Sequence, residues 1–363
     1  MCAADDIGTS TLYRKVAELP VEVAGYRTIR NERPVSSDFV RVTTTVELAG
    51  PGGDRAGRGE DVTYDAEDHD DYPAELDLAG QFTFTGLSRR LGELSAADGG
   101  RGLFGRPPLH DMSLAHRRWA FESAALDLAL RQNGLSLGAA LGLEYRPVRF
   151  VVSTRHDIEP WLELYPELEF KLDPTPEWDN ALLERLAASG AVRVVDFKAF
   201  YRGTPVDMTP DPELYARVVR ALPEAVVEDA GVTGETCGVL GASIERLSWD
   251  APIHSWRDVE VMARVSGLEL PRYLNIKPSR FGTVEALFDC VEHALEHGIV
   301  LYGGGQFELG PGREQIQVLA ALLYPDGPND VAPPGYNEPE PRPGLSTSPL
   351  SPPVSPAGFS FAD

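Results

Sequence analysis

The chain has 363 residues, 42% of them hydrophobic, with 56 Asp+Glu against 33 Lys+Arg and a formal net charge of −23. This length and apolar content suit one large packed domain with a smaller one and exclude a disordered tail, while the acidic balance argues against nucleic acid and anionic membranes as partners. Cys2, Cys237 and Cys290 have no metal-ligand spacing, and neither a membrane-length apolar run nor an amino-terminal apolar leader is evident, so a soluble cytoplasmic protein is expected.

Residues 15–62 read as β-rich. Pro20 to Ala24 and Phe39 to Leu48 alternate, a Gly/Pro turn follows at Gly50 to Gly53, and the chain returns through Gly57-Arg-Gly-Glu-Asp-Val62, as in an antiparallel meander. The polar stretch Arg27 to Asp38 reads as a mobile loop. Residues 64–73 carry six Asp, Glu or His, including Asp68-His69-Asp70-Asp71, and read as a solvated acidic loop rather than a metal site. Residues 112–131 have helical periodicity and end at Asn133-Gly134, and a short helical piece runs on to Leu141-Gly142. These elements predict an α+β domain over residues 1–145.

The rhythm then becomes strand, helix, strand, helix. Strands are predicted at Val148–Ser153, Glu167–Lys171, Arg193–Lys198, Ala225–Glu228, Ile244–Asp250, Tyr273–Lys277, Ile299–Tyr302 and, weakly, Asp330–Ala332, with helices such as 180–188, 212–222, 256–265, 283–297 and 315–323 between them. Seven or eight such repeats over residues 146–332 favour a (β/α)8-type barrel, or a modified (β/α)7β form. No Gly-x-Gly-x-x-Gly follows the first strand, against a dinucleotide fold. Residues 333–363 are Pro- and Ser-rich and predict a strap or tail.

Four lysines occur, at 15, 171, 198 and 277. Lys can lose its proton when desolvated, whereas Arg cannot, so scarce lysines are informative. In Val194-Val-Asp-Phe-Lys198 the two-residue period puts Asp196 and Lys198 on one face. The predicted strand ends present Lys171 and Asp173, then Asp196 and Lys198, then Glu228 and Asp229, then Asp250, then Lys277. Three acid-bearing strands are thus flanked by lysine-bearing ones. Two carboxylates 4 Å apart repel by about 4 kcal/mol at an effective dielectric near 20, so a cation is required among them. A hard, oxygen-ligated Mg2+ is one candidate, and Lys198 in an ion-pair network is the other. Lys198 beside an acid also suits Schiff-base chemistry. The histidines at 110, 116, 156, 254, 293 and 297 show no ligand spacing, and His254 is the one near an acid strand end.

Taken together, these residues resemble the enolase superfamily, in its muconate-lactonizing and o-succinylbenzoate-synthase-like branch. The resemblance is carried by Gly57-x-Gly-Glu60, by Ala124-Ala-Leu-Asp-Leu-Ala129 with Gly134-Leu-Ser-Leu137, by Asn275-Ile-Lys-Pro-Ser-Arg-Phe-Gly282 and by Gly303-Gly-Gly-Gln-Phe-Glu308. It implies a capping domain on a barrel, Mg2+ or Mn2+ on Asp196, Glu228 and Asp250, and proton transfer by Lys171 and Lys277. The implied chemistry is abstraction of the proton α to a carboxylate, with the metal stabilising the enediolate, in a lyase, dehydratase, epimerase or cycloisomerase. A small carboxylate-containing substrate and a homo-oligomer are expected with it, and Asn275 and Glu308 are expected against substrate. The sequence departs from the family in three places. One lysine of the strand-two Lys-x-Lys pair is replaced, by Glu169 or Asp173 according to register. Lys198 stands where Asn is usual, and Ala230 follows Glu228-Asp229 where Pro is usual. A metal-free or non-catalytic relative is the alternative these departures imply.

Overall fold

Two glycines set the packing of the amino-terminal domain. The computed structural model describes residues 10–361 except 36–38, 54, 101, 205 and 339. Its first elements are α1 (Thr11–Ala17), β1 (Pro20–Val23), β2 (Gly25–Val35), β3 (Phe39–Ala49), β4 (Ala56–Asp61), β5 (Gly80–Thr83), α2 (Phe84–Gly100), α3 (Met112–Gln132) and α4 (Leu137–Leu141). Strands β2, β3 and β4 form an antiparallel meander, and β1 pairs with β5. A Cβ at Gly57 would lie 2.2 Å from the Ala124 carbonyl oxygen, and one at Gly59 would lie 2.0 Å from that of Ala120. Only glycine lets β4 lie directly on α3, which is why the Gly-x-Gly spacing faces that buried helix.

The meander differs from the sequence expectation at 27–38. Residues up to Val35 belong to β2, an eleven-residue strand paired along its length with β3; Ser36, Ser37 and Asp38 lie outside the described residues. Its polar composition reflects exposure of most of the strand, since an edge strand need not alternate. Helix α2 was not evident from composition, because Gly86 and Gly92 dilute a stripe of Phe84, Leu87 and Leu91 that the fold buries completely. The acidic stretch is less solvated than expected: Asp68 and His69 are buried, Arg106 lies 3.3 Å from Asp68 and 3.4 Å from Asp71, and Arg117 binds their backbone carbonyls.

The second unit alternates β6 (Val152–Thr154), α5 (Glu159–Leu164), β7 (Phe170–Leu172), α6 (Asn180–Ser189), β8 (Val192–Asp196), α7 (Pro212–Ala221), β9 (Val226–Glu228), α8 (Cys237–Gly241), β10 (Leu247–Trp249), α9 (Trp256–Ser266), β11 (Tyr273–Ile276), α10 (Pro278–Phe281), α11 (Val284–Glu296), β12 (Val300–Gly303) and α12 (Pro311–Leu323). Local signals place the helices: Asp179, Asp211, Ser255 and Thr283 each cap one with a side-chain oxygen, and Gly190 and Gly267 end two in the left-handed conformation. The seven strands run parallel in sequence order. The eighth position is not the strand expected at 330–332. Instead Asn329 bridges to Phe150 and Asp330 to Gly304, with the Val151 N–H donating to Asn329 O at 2.8 Å and the Asp330 N–H to Gly303 O at 2.8 Å. Prolines at 325, 328, 333 and 334 leave too few donors for a longer ladder.

The carboxy-terminal strap runs back over both units. Tyr336 packs among Phe150, Trp161 and Tyr165, Leu350 bridges to Val148, and Phe359 packs edge-on against Trp119 while its N–H donates to Asp127 at 2.7 Å. Phe359 is 2% exposed. Its replacement by Ala is expected to destabilise the chain by about 3 kcal/mol through cavity formation, which urea denaturation measures; a change below about 0.5 kcal/mol would mean that the strap contributes little.

Candidate active site

Asp196 closes β8, Glu228 closes β9 and Asp250 follows β10, so three neighbouring parallel strands deliver a carboxylate to the same end of the barrel. Each offers one oxygen within 4.8 Å of the others, and all three are buried. Cations surround them. Lys171 Nζ, on β7, contacts Glu228 Oε1 and lies 3.2 Å from Asp196 Oδ2. Lys198 Nζ contacts that same Asp196 oxygen and lies 3.5 Å from Asp173. Lys277 Nζ is 2.8 Å from Asp250 Oδ2. Arg280 Nε is 3.2 Å from Asp250 Oδ1. Neutral donors complete the shell: Tyr302 donates to Glu228 at 2.5 Å, Asn275 to both Glu228 oxygens at 3.2 Å, and Tyr201 to Asp250 at 2.9 Å.

The electrostatics follow from this crowding. Burial, reinforced by Asp196 and Asp250, pushes Glu228 up to about 8 against the pull of Lys171. Burial and the charges of Asp250 and Asp196 likewise raise Asp229 to about 7. Burial also disfavours the charged forms of Asp196 and Asp250, but Lys198 and Lys171 outweigh it at the first and Arg280 and Lys277 at the second, so both stay below the usual carboxylate range. Lys171 and Lys198 lie well above the usual lysine range, because neighbouring carboxylates overcome the burial that would lower them.

Backbone geometry marks the same place. Lys198 and Asp229 are non-glycine residues at φ 52° and 48°, a conformation costing about 1–3 kcal/mol that surrounding structure must hold. Asp229, which sequence reasoning gave no role of its own, accepts from the backbone N–H groups of Asp250 at 2.8 Å and Ala251 at 3.0 Å, fixing the chain that carries the third acid. Arg280, Tyr201 and Tyr302 also lacked a sequence-based role. Arg280 alone had a local signal, its place in the Lys277-Pro-Ser-Arg motif.

The donor set fits a hard divalent cation. It consists of carboxylate oxygens, and one of them, Asp250 Oδ1, is buried with no hydrogen bond, since Arg280 Nε beside it is not aligned to donate. The strand-two register is also fixed. Glu169 is held by Arg149 and Arg193 at 2.6 Å each, at the other end of its strand. Asp173 lies at the mouth, 3.0 Å from Arg155 Nε. Asp173 therefore occupies the position where the resemblance leads one to expect a second lysine.

A cavity of about 480 Å3 opens over these groups. The barrel lines it with Lys171, Lys198 and Lys277, and the amino-terminal unit with Phe39, Tyr64 and Met112. Asp330, at the eighth position, also faces it. Asn275 and Glu308, expected against substrate, are engaged elsewhere: Asn275 holds Glu228, and Glu308 pairs with Arg313 at 3.1 Å and accepts from the Gln306 N–H at 2.7 Å. The His254 ring meets the Arg280 carbonyl at 3.0 Å rather than one of the three acids, and its backbone N–H donates to Asp258 at 3.0 Å.

His116, with no distinguishing spacing in the sequence, is buried on α3 with Nε2 3.0 Å from Gln306 Nε2. Burial first, then Arg280, pushes its pKa down to about 3. The unfolded chain therefore binds a proton near pH 6.5 that the folded chain refuses until about pH 3. Stability is expected to fall with acidification across that window by up to about 1.4 kcal/mol per pH unit from this residue. Urea denaturation across the window should show a slope shallower by one proton in His116→Phe; an unchanged slope contradicts this.

The fold is that of the enolase superfamily. Similar solved structures include a dipeptide epimerase from Methylococcus capsulatus complexed with Mg and the dipeptide L-Arg-D-Lys, at 18% identity over 94% of this chain and 100% of that one, with a TM-score of 0.67. A mandelate racemase/muconate lactonizing protein from Herpetosiphon aurantiacus is similar at 18% identity over 94% and 98% of the chains, TM-score 0.66. An enolase-superfamily member from Listeria innocua Clip11262 is similar at 20% identity over 86% of each, TM-score 0.61. No curated protein matches. The chain belongs to the family described as domain of unknown function (DUF8230), whose C-terminal domain model matches residues 144–338 and whose N-terminal domain model matches residues 14–140.

Proposed function

We propose that the chain is a divalent-metal-dependent enzyme that moves the proton α to a carboxylate of a small substrate, as an isomerase, epimerase or lyase. The observation that carries this reading is the buried triad Asp196, Glu228 and Asp250, one oxygen of each within 4.8 Å of the others, on a fold shared with a racemase/lactonizing protein and an epimerase. When bound by these acids, Mg2+ supplies positive charge beside the substrate carboxylate. Lys277 stands on β11's side of the acids and Lys171 with Lys198 on the other. The carboxylates hold Lys171 and Lys198 protonated, and a divalent cation on those acids would offset that hold and bring a lysine toward the range in which it can exchange a proton. Tyr302 and Asn275 hold Glu228, and Arg280 and Tyr201 hold Asp250. The cap lines the cavity with Phe39, Tyr64 and Met112, apolar surface that would limit water at the reacting carbon once substrate is bound.

One observation favours a second reading. Lys198 contacts Asp196 and stands where it can replace a cation, as a metal-free relative requires. The two readings are separated by incubating the protein with MgCl2 in D2O against a panel of small carboxylates and following α-proton loss by NMR. Exchange that needs Mg2+ supports the first. Absence of exchange across the panel, with no Mg2+ binding, supports the second.

A further inference from the structure

The loop after β12 carries a side chain that no role above uses. Gln306 lines the cavity yet is only 3% exposed. Its carbonyl accepts from Arg41 Nε at 3.2 Å, its N–H donates to Glu308, and its side-chain nitrogen lies 3.0 Å from His116 Nε2 and 3.2 Å from Ser279 Oγ. Arg41 and His116 are themselves buried residues of the cap. The side-chain oxygen is thus the one polar atom of Gln306 without a partner among the described residues. His116 is neutral above about pH 3, and a neutral imidazole accepts at one nitrogen only. With the amide nitrogen donating to Nε2, the proton is on Nδ1, which has no partner among the described residues. With the amide turned, its oxygen would accept from a proton on Nε2 and from the Ser279 hydroxyl, so the His116 tautomer decides which amide atom faces the cavity.

We propose that Gln306 is a specificity-determining residue whose Oε1 accepts a hydrogen bond from a donor on the substrate, a hydroxyl or amide N–H on the arm beside its carboxylate, and that His116 is the positioning residue that fixes this orientation. The proposal rests on the cavity being the carboxylate-binding site proposed above. An apolar residue here would leave such a donor unpaired, whereas a carboxylate would repel the substrate's own. Phe307, at φ 56° and edge-on to Phe39 at 5.7 Å, anchors the loop to the cap immediately after Gln306.

Two measurements test it, neither requiring turnover. The first is the 15N spectrum of His116 in the Mg2+-containing protein. A proton on Nδ1 with a bare Nε2 is expected, and the opposite tautomer overturns the assignment because it turns the amide nitrogen toward the cavity. The second is calorimetric affinity for matched pairs of hydroxy acids and their deoxy analogues, and of N-acetyl amino acids and their N-methylated analogues. Wild type is expected to prefer the donor-bearing member of a pair by about tenfold, Gln306→Met to lose that preference with Mg2+ affinity unchanged, and His116→Phe to reduce it. A ratio of affinities does not move with general destabilisation. No preference in wild type, or its survival in Gln306→Met, overturns the proposal. Failure of proton abstraction would appear instead as absent deuterium exchange with this preference intact.

Discussion

Lys277→Met is expected to lower α-proton exchange by about 10³-fold while Mg2+ affinity holds or rises. Lys277 is 6% exposed, faces the cavity and ends 2.8 Å from Asp250. Methionine keeps most of the stem's packing but can neither take nor give a proton. The charge argument fixes the second half: an ammonium beside Asp250 competes with a cation for that carboxylate, so its removal cannot weaken metal binding electrostatically. Kinetics by NMR and calorimetry on the same sample check both. Exchange within about threefold of wild type would remove Lys277 from the proton path.

Lys198→Asn is expected to raise Mg2+ affinity by roughly tenfold to a hundredfold. The Lys198 ammonium contacts Asp196 and lies 3.5 Å from Asp173. Two unit charges at about 4 Å interact by about 4 kcal/mol at an effective dielectric near 20, and the relief is smaller because Asp173 already offsets part of it. Without Mg2+ folding stability should fall, because buried Asp196 loses an ion-pair partner, even though Asn tolerates the left-handed conformation that Lys198 adopts at φ 52° better than a long side chain does; Mg2+ should restore it. Calorimetry and urea denaturation measure the two quantities. Weaker Mg2+ binding would show that Lys198 supports the metal site instead of competing with it.

The parts legible in the sequence were those whose signal is local. Parallel strands buried on both faces read as apolar runs, so the acids at 196, 228 and 250 could be placed at strand ends. Caps such as Asp179 and Ser255 are likewise written beside the helices they start. What escaped depends on contacts distant in sequence. Nothing near residue 116 says that His116 meets Gln306, 190 positions away. Strand β2 looked like a loop because edge exposure and polar composition give the same pattern. The choice between Glu169 and Asp173 needed the arginines at 149, 155 and 193, which arrive from neighbouring strands. In the sequence Asp229 is only an acid near a strand end, whereas in the fold its carboxylate accepts from the backbone N–H groups of Asp250 and Ala251.

Titration calorimetry of Mg2+ into the wild-type chain and into Asp250→Asn tests the central claim most directly. One ion bound per chain at submillimolar Kd, with affinity falling about a hundredfold in the variant as one of three carboxylate ligands is lost, is the predicted result. No binding in the millimolar range by either protein would contradict it and leave the acids as an ion-pair network closed by lysine.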